Sequence, residues 1–288
     1  MKTVHSILLS IIFSLLSIEG CLPQPKETPT KGYLKCYVDE SLFNVVKDER
    51  DLFVNLYGES KIDLVTVKAR EGIAAVLNGE AKMFVGSRNL NKEEREFVRK
   101  NKSEVKVFKF CYDGIAVIVN DNDKRGKLSI DELKELLLGI KRNVKVIVPE
   151  PNSGVYEIVK NELLEGKDPA GAEVLNSERE VIDKIKKSKN TIGLVGLDLL
   201  KNVSGIVVLE IAGSDQDITG KKYYEPLPAY LVNGSYPLTR TTYIFLNEVG
   251  LHVASGFTTF LTGNQGQRLV MKNDLGPATV PVKLIQLN

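Results

Sequence analysis

Short β-rich runs alternate with helical runs along most of this chain, and that order limits the fold more than any other feature. Residues 33–38 read as a strand, and 41–57 then set Leu42, Val45, Val46, Phe53 and Leu56 near helical spacing. A strand at 62–67, a helix at 71–77 stopped by Asn78-Gly79 and a strand at 82–85 follow. Asn91 opens the next helix as an N-cap with Glu94 three residues on, and Ser129 with Glu132 repeats that capping box before a helix ended at Gly139. Between and beyond them lie strands at 115–119, 144–148, 191–195, 206–211 and 241–246, and helices at 155–164, 177–187 and 253–261. Strand–helix alternation argues for largely parallel sheets covered by helices. The elements are about twice what one small sheet needs, so the chain reads as α/β with two lobes.

The N-terminus carries a different signal. Lys2 and His5 precede an almost wholly apolar run from Ile7 to Ile18, too short to span a bilayer and of signal-peptide length. Residues 1–20 are therefore expected to be a signal peptide. The run ends at Ile18-Glu19-Gly20-Cys21, which resembles a bacterial lipobox with Cys21 as the lipid anchor, although Glu19 departs from the usual small residue. An ordinary signal peptide with an incidental cysteine is the alternative. Residues 22–31 hold three prolines and no apolar period. With Cys21 they read as an extended tether spanning at most about 30 Å. No later run is long and apolar enough to cross a bilayer.

The net charge of +2 on 288 residues gives no footprint for nucleic acid, and the basic residues are scattered rather than striped. No metal site is expected, because His252 is the one histidine beyond the leader and no CxxC spacing occurs. With Cys21 lipidated, Cys36 and Cys111 remain. They read as two buried free thiols, a disulfide in an oxidising compartment being the alternative.

Three strand-to-helix junctions suit an anion, because a helix start presents unpaired N–H groups and partial positive charge beyond the carboxyl end of a strand. The first is Asp39-Glu40-Ser41-Leu42, where Ser41 offers a hydroxyl or acts as a plain N-cap. The second is Gly86-Ser87-Arg88, whose guanidinium fork matches phosphate geometry. The third is Asn152-Ser153-Gly154-Val155, where Gly154 admits close backbone approach. Asp39 and Glu40 are candidate selectivity acids: a carboxylate can accept from a P–OH group, whereas sulfate would leave it unpaired at a cost of about 1–3 kcal/mol. Solvent-facing acids are the alternative.

The run Gly234-Ser235-Tyr236-Pro237-Leu238-Thr239-Arg240, followed by Gly256-Phe257-Thr258-Thr259-Phe260-Leu261-Thr262-Gly263, Gly266-Gln267 and Gly276-Pro277-Ala278-Thr279, resembles the C-terminal third of the periplasmic phosphate-binding protein family, the solute receptors of ABC importers. Asp39-Glu40-Ser41 and Ser87-Arg88 with Glu93-Glu94 are similar to the family's lipoprotein branch and its strand–Ser-Arg–helix pattern. Where the family carries Ser-Gly-Thr-Arg, this chain has Ser153-Gly154-Val155-Tyr156, so one hydroxyl and one charge are missing. The resemblance implies a two-lobed, Venus-flytrap receptor with two crossover hinge segments. Lobe one would hold 32–112 and 235–288, and lobe two 113–234. Asp113-Gly114 would start the first hinge. Arg240 would either contact the ligand or pair with an acid behind the hinge.

The implied function is capture of inorganic phosphate between the lobes by Ser41, Leu42, Ser87, Arg88, Asn152, Ser153, Gly154 and Val155. Delivery to the membrane subunits of an ABC importer would follow. Such a receptor is a monomer on the periplasmic side of a bacterial membrane or cell envelope, held by its lipid alone and needing no cofactor. A sensor or surface lipoprotein with a drifted site, or a receptor for another oxyanion or small organic phosphate, shares the fold. An enzyme is the weakest reading: His252 has no obvious nucleophile partner, and no GxxxxGK[ST] or GxGxxG loop occurs.

Overall fold

The computed structural model describes residues 27–212 and 223–279. The expected signal peptide (1–20), the expected lipid anchor Cys21 and residues 22–26 of the expected tether lie outside these. The remainder of the tether is not an extended spacer. Thr28 and Lys31 close a turn through reciprocal backbone hydrogen bonds of 2.9 and 3.3 Å, with Pro29 at the position whose fixed φ suits a β-turn. The carbonyl of Pro29 sits where a side chain on Gly256 would be, so the folded unit begins before residue 32.

The first part of the chain runs β1 (Gly32–Asp39), α1 (Phe43–Leu56), β2 (Ser60–Val67), α2 (Ala69–Leu77), β3 (Met83–Gly86) and α3 (Lys92–Asn101) into β4 (Lys106–Asn120). The second part comprises β5 (Lys127–Ser129), α4 (Ile130–Leu137), β6 (Lys145–Pro149), α5 (Gly154–Ile158), β7 (Ala172–Leu175), α6 (Glu178–Lys186), β8 (Thr191–Gly196), β9 (Ile206–Val208), β10 (Glu210–Ala212), β11 (Tyr223–Tyr224) and α7 (Pro228–Val232). The chain then returns through β12 (Thr239–Leu246), α8 (Val253–Thr262), α9 (Asn264–Lys272) and β13 (Gly276–Pro277).

Strand order is β2-β1-β3-β12-β4-β8-β6-β7. β1, β2 and β3 pair parallel, as do β6, β7 and β8. β12 inserts antiparallel between β3 and β4, pairing with β4 from Lys106 to Gly114. From Ile115 to Ile118 the same strand pairs antiparallel with β8. One 15-residue strand therefore serves two sheets in succession, and the α/β molecule has two lobes joined through β4 and the chain returning into β12. The sequence reading had 115–119 as a strand within a strand-like run from 105 to 119, and the change of sheet inside it was not read. Nothing local marks the junction, because Cys111 to Val119 is buried throughout apart from Tyr112.

Each sheet is covered on both faces, which is why its inner strands are apolar without alternation. In the first lobe Leu34, Cys36, Val38, Phe53 and Phe257 form one core, and Ile73, Val76, Phe84 and Phe245 form another. In the second, Val117, Leu133, Val146, Val155 and Leu194 pack on one face, and Ile118, Ile147, Val181 and Ile185 on the other. Tyr236 and Leu238 pack with the second lobe's core, and Tyr236 Oη donates to the Ile115 carbonyl at 2.9 Å. α9 is an element the sequence reading did not separate from α8; the break falls at Gly263. Residues 206–211 divide into β9 and β10.

Cys36 and Cys111 are both buried and free. Burial pushes the Cys36 thiol up to about 12, and it raises Cys111 against the pull of its Thr242 contact. Thiols so placed are almost never thiolate. Neither is expected to react with Ellman's reagent in native buffer, and both should after unfolding in guanidinium; fast native labelling of either would contradict the placement.

Candidate functional site

The carboxyl ends of β1, β3, β6, β7 and β8 meet at the boundary between the lobes, where open α/β sheets gather ligands. A one-turn 3-10 helix, Glu40–Leu42, follows β1. Asp39 caps it by accepting the Ser41 N–H at 3.0 Å through Oδ1. Its Oδ2 accepts the Ser87 hydroxyl at 2.6 Å. Gly154 approaches from the other lobe: a Cβ there would lie 1.8 Å from Ser87 Oγ and 3.4 Å from Asp39 Oδ2. Only glycine permits that approach. Asp39, Ser41, Ser87, Ser153 and Gly154 are thus brought together, all nine-tenths or more buried.

Ser153 Oγ is occupied as the N-cap of α5, accepting from Tyr156 N–H at 3.1 Å. Asn152 reaches across the lobes through its carbonyl, which accepts the Arg70 N–H at 3.3 Å. Leu42 and Val155 point into the two cores, so only their backbones remain for a ligand. The side chain at 155 is therefore given over to core packing.

Arg88 is committed to carboxylates. Nη1 and Nη2 reach Glu94 Oε2 and Oε1 at 2.8 Å each, a bidentate fork, and Nε meets Glu157 from the other lobe. Glu94 also completes the Asn91 capping box, accepting from Asn91 N–H at 2.7 Å. Burial raises the Glu157 carboxyl, with Arg88 and Arg70 pulling the other way. A polar cavity of ≈ 750 Å³ opens beside this cluster, lined by Arg70, Arg88, Asn152, Tyr156, Glu157 and Asp168, among others. Tyr156 Oη donates to Asp168 at 3.0 Å.

Neither Asp39 nor Glu40 faces solvent. Glu40 spans the lobes, pairing with Lys68 Nζ at 2.8 Å and accepting the Glu178 N–H. Lys68 Nζ in turn donates to the Asn176 carbonyl at 2.7 Å. Asp198 accepts the N–H groups of Asn44 and Val45 at 2.8 and 3.0 Å, capping α1 from the opposite lobe. Burial pushes Asp198 up to about 7, with nearby Asp113 adding to the rise.

Arg240 pairs with Asp113 behind the cleft, the second of the two roles open to it. Nε and Nη2 both reach Asp113 Oδ2, at 2.9 and 2.6 Å, while Oδ1 accepts the Gly114 N–H at 2.8 Å. The two residues face each other on β12 and β4. A Cβ on Gly196 would lie 2.6 Å from Arg240 Nη2 and 2.8 Å from Ser41 Cβ, so the guanidinium edge, Ser41 and the end of β8 crowd one spot.

Glu178 was missed. Its carboxylate enters that spot from the first turn of α6, accepting the Ser41 hydroxyl with Oε1 and the Gly196 N–H at 2.6 Å with Oε2. Burial pushes it up to about 8 against the pull of Arg240, and Glu40 and Asp39 add to the rise. Ser177-Glu178 has the pattern of an N-cap followed by a first-turn acid, and the cap is present: Ser177 Oγ accepts from Glu180 N–H at 3.1 Å. No local signal says that the acid faces a serine 137 residues away.

Among described residues no helix is long and apolar enough to cross a membrane. The phosphate-binding protein PstS of Staphylococcus aureus is 23% identical over 254 residues, spanning 82% of this chain and 76% of its own. A Clostridium perfringens chain described as a putative phosphate ABC transporter substrate-binding protein, solved with bound phosphate, superposes with a TM-score of 0.73 at 19% identity, over 86% of this chain and all of its own. An ABC-type phosphate transport receptor of Vibrio cholerae gives 0.64 at 15% identity, over 84% and 99%. The model of the PBP superfamily domain matches residues 23–264, and with the two-lobed sheet and its interlobe site the chain belongs to that family.

Proposed function

We propose that this chain is a solute receptor that closes its lobes on inorganic phosphate and delivers it to the membrane subunits of an ABC importer. The observation that carries the reading is the meeting of Ser41, Ser87, Asp39 and Gly154 at one interlobe point. Two hydroxyls and a close backbone suit a tetrahedral oxyanion. The Asp39 carboxylate, now holding Ser87, suits the proton that phosphate keeps and sulfate lacks. The names of the relatives support the same ligand and partner. In this proposal residues 32–112 and 235–288 form lobe one and 113–234 lobe two. Closure is a hinge motion through the crossovers near 113 and 230, stabilised by contacts the ligand makes to both sides. Cys21 carries the lipid that holds a monomeric receptor in the cell envelope.

The test is calorimetric titration of the purified chain, stripped by unfolding and refolding. Saturable phosphate binding with no heat from sulfate is expected. Ser87→Ala should weaken it at least about tenfold, the loss of one charge-assisted hydrogen bond. Asp39→Asn should narrow the preference over sulfate. No saturable heat with phosphate from a folded chain would refute the receptor reading. The cavity beside Arg88 favours one second reading, a small organic phosphate whose polar remainder occupies it, since ≈ 750 Å³ is within the size range of small-molecule sites. A phosphate monoester binding more tightly than phosphate would select it.

A further inference from the structure

We propose that Glu178 is an internal stand-in for the anion: its carboxylate occupies oxyanion donors of the cleft and holds the lobes together when no solute is bound. The proposal rests on the receptor reading above for what it competes with, but its latch function does not. Two atoms carry it. Oε1 takes the Ser41 hydroxyl of lobe one and Oε2 takes the Gly196 N–H of lobe two, so one carboxylate ties both lobes together. A hydroxyl and a backbone amide are the donors a bound oxyanion needs, and here they are already filled. The side chain is fully buried, and its field reaches Arg240. Arg240 Nη1 has no hydrogen-bond partner among the described residues, so the guanidinium retains a donor.

Neighbouring contacts fix the carboxylate in place. The Glu178 N–H donates to Glu40, whose other oxygen is held by Lys68, and Ser177 caps the helix that presents it. Gly196 cannot carry a side chain without meeting Arg240 and Ser41, so the amide it offers is exposed to Glu178 at close range. An incoming anion must expel Glu178 to use Ser41 and Gly196, and the free energy of that exchange lowers apparent affinity. Such an element sets the threshold concentration at which the receptor loads, because a ligand shifts a two-state equilibrium only by its differential affinity.

The experiment uses the full chain in mild detergent, comparing wild type, Glu178→Ala and Glu178→Gln. Hydrogen exchange of peptides covering residues 40–46 and 194–200 is followed without ligand, and phosphate affinity is measured by calorimetry. Loss of the latch should speed exchange in both peptides at least about tenfold in Glu178→Ala, with phosphate restoring protection and binding at least about tenfold more tightly. Glu178→Gln, which keeps shape but turns one acceptor into a donor facing Ser41 or Gly196, should lie between. Unchanged exchange in both variants overturns the latch. Faster exchange with unaltered phosphate affinity overturns the claim that Glu178 sits in the anion's place. Faster exchange with no phosphate binding by any of the three chains leaves the latch standing and refutes the receptor reading instead.

Discussion

Arg240→Ala is expected to lower folding stability by about 3–5 kcal/mol, among the largest single-residue effects in the molecule. The reason is what the substitution leaves behind. Asp113 is fully buried, and its Oδ2 has both hydrogen bonds from Arg240. Without the guanidinium it keeps, among the described residues, only the Gly114 N–H on Oδ1. Burial already raises the Asp113 carboxyl in the intact pair, with Arg240 pulling it back. Once the cation is gone the carboxyl must take a proton or stay charged in an apolar setting. Its folded value then rises further above the unfolded one, so stability is present at low pH and lost as pH climbs through that higher value. Urea unfolding at pH 5.5 and 8 should therefore show a larger deficit at pH 8. Asp113→Asn/Arg240→Met should recover at least half of the loss, since replacing both charges removes the uncompensated one. A double variant as unstable as the single one would show that the pair's value lies elsewhere, for example in the packing of Arg240 beside Gly196. Because the pair joins β4 to β12, the same variant should also loosen the pairing of these two strands.

Local chemistry was legible in the sequence; partners across the cleft were not. Asn91 with Glu94 and Ser129 with Glu132 were read as helix starts, and both caps are present at 2.9 and 3.1 Å. Those signals lie within four residues and need no tertiary information. The three junctions do lie at strand ends, as spacing predicted. What could not be read is which groups occupy them. Arg88 was read as an anion ligand from its guanidinium fork, and in the structure Glu94 and Glu157 hold it. The first of these lies six residues on and was read as a capping acid and as part of the Ser-Arg–helix pattern, not as the partner of Arg88. Asp198 caps a helix 154 residues earlier, and Glu178 reaches Ser41 over a similar span. Each of these acids has an ordinary local role as well, so the sequence contains no anomaly to flag it. The change of sheet within β4 was not read, because a strand that changes sheets does not change composition at the change.

Glu49→Met should stabilise the chain, and the gain should grow as pH rises. Glu49 lies on the buried face of α1 with Val45, Val46 and Phe53. Neither carboxyl oxygen has a hydrogen-bond partner among the described residues. Burial pushes the group up to about 8, and nearby Asp48 adds to the rise. The folded value is thus above the unfolded one, near 4.5. The folded chain prefers the protonated acid, so this group's contribution is fully present below about pH 4.5. It is lost progressively as pH climbs toward about 8, and stays lost above that. A shift of that size corresponds to a ceiling of about 5 kcal/mol, and relaxation around the carboxylate brings the expected figure to about 2–4 kcal/mol at pH 9. Methionine keeps the length, the helix propensity and the volume while removing the polar oxygens. The gain at pH 5 should be smaller, about 1–2 kcal/mol, set by the unpartnered neutral carboxyl alone. Glu178, Asp198, Asp113, Glu157 and Glu162 also hold raised values, so wild type alone would mix several titrations. The difference between wild type and Glu49→Met, taken by chemical unfolding at each pH, isolates one. Equal gains at pH 5 and pH 9, or a loss at both, would mean that Glu49 is not the uncompensated buried acid that its surroundings describe.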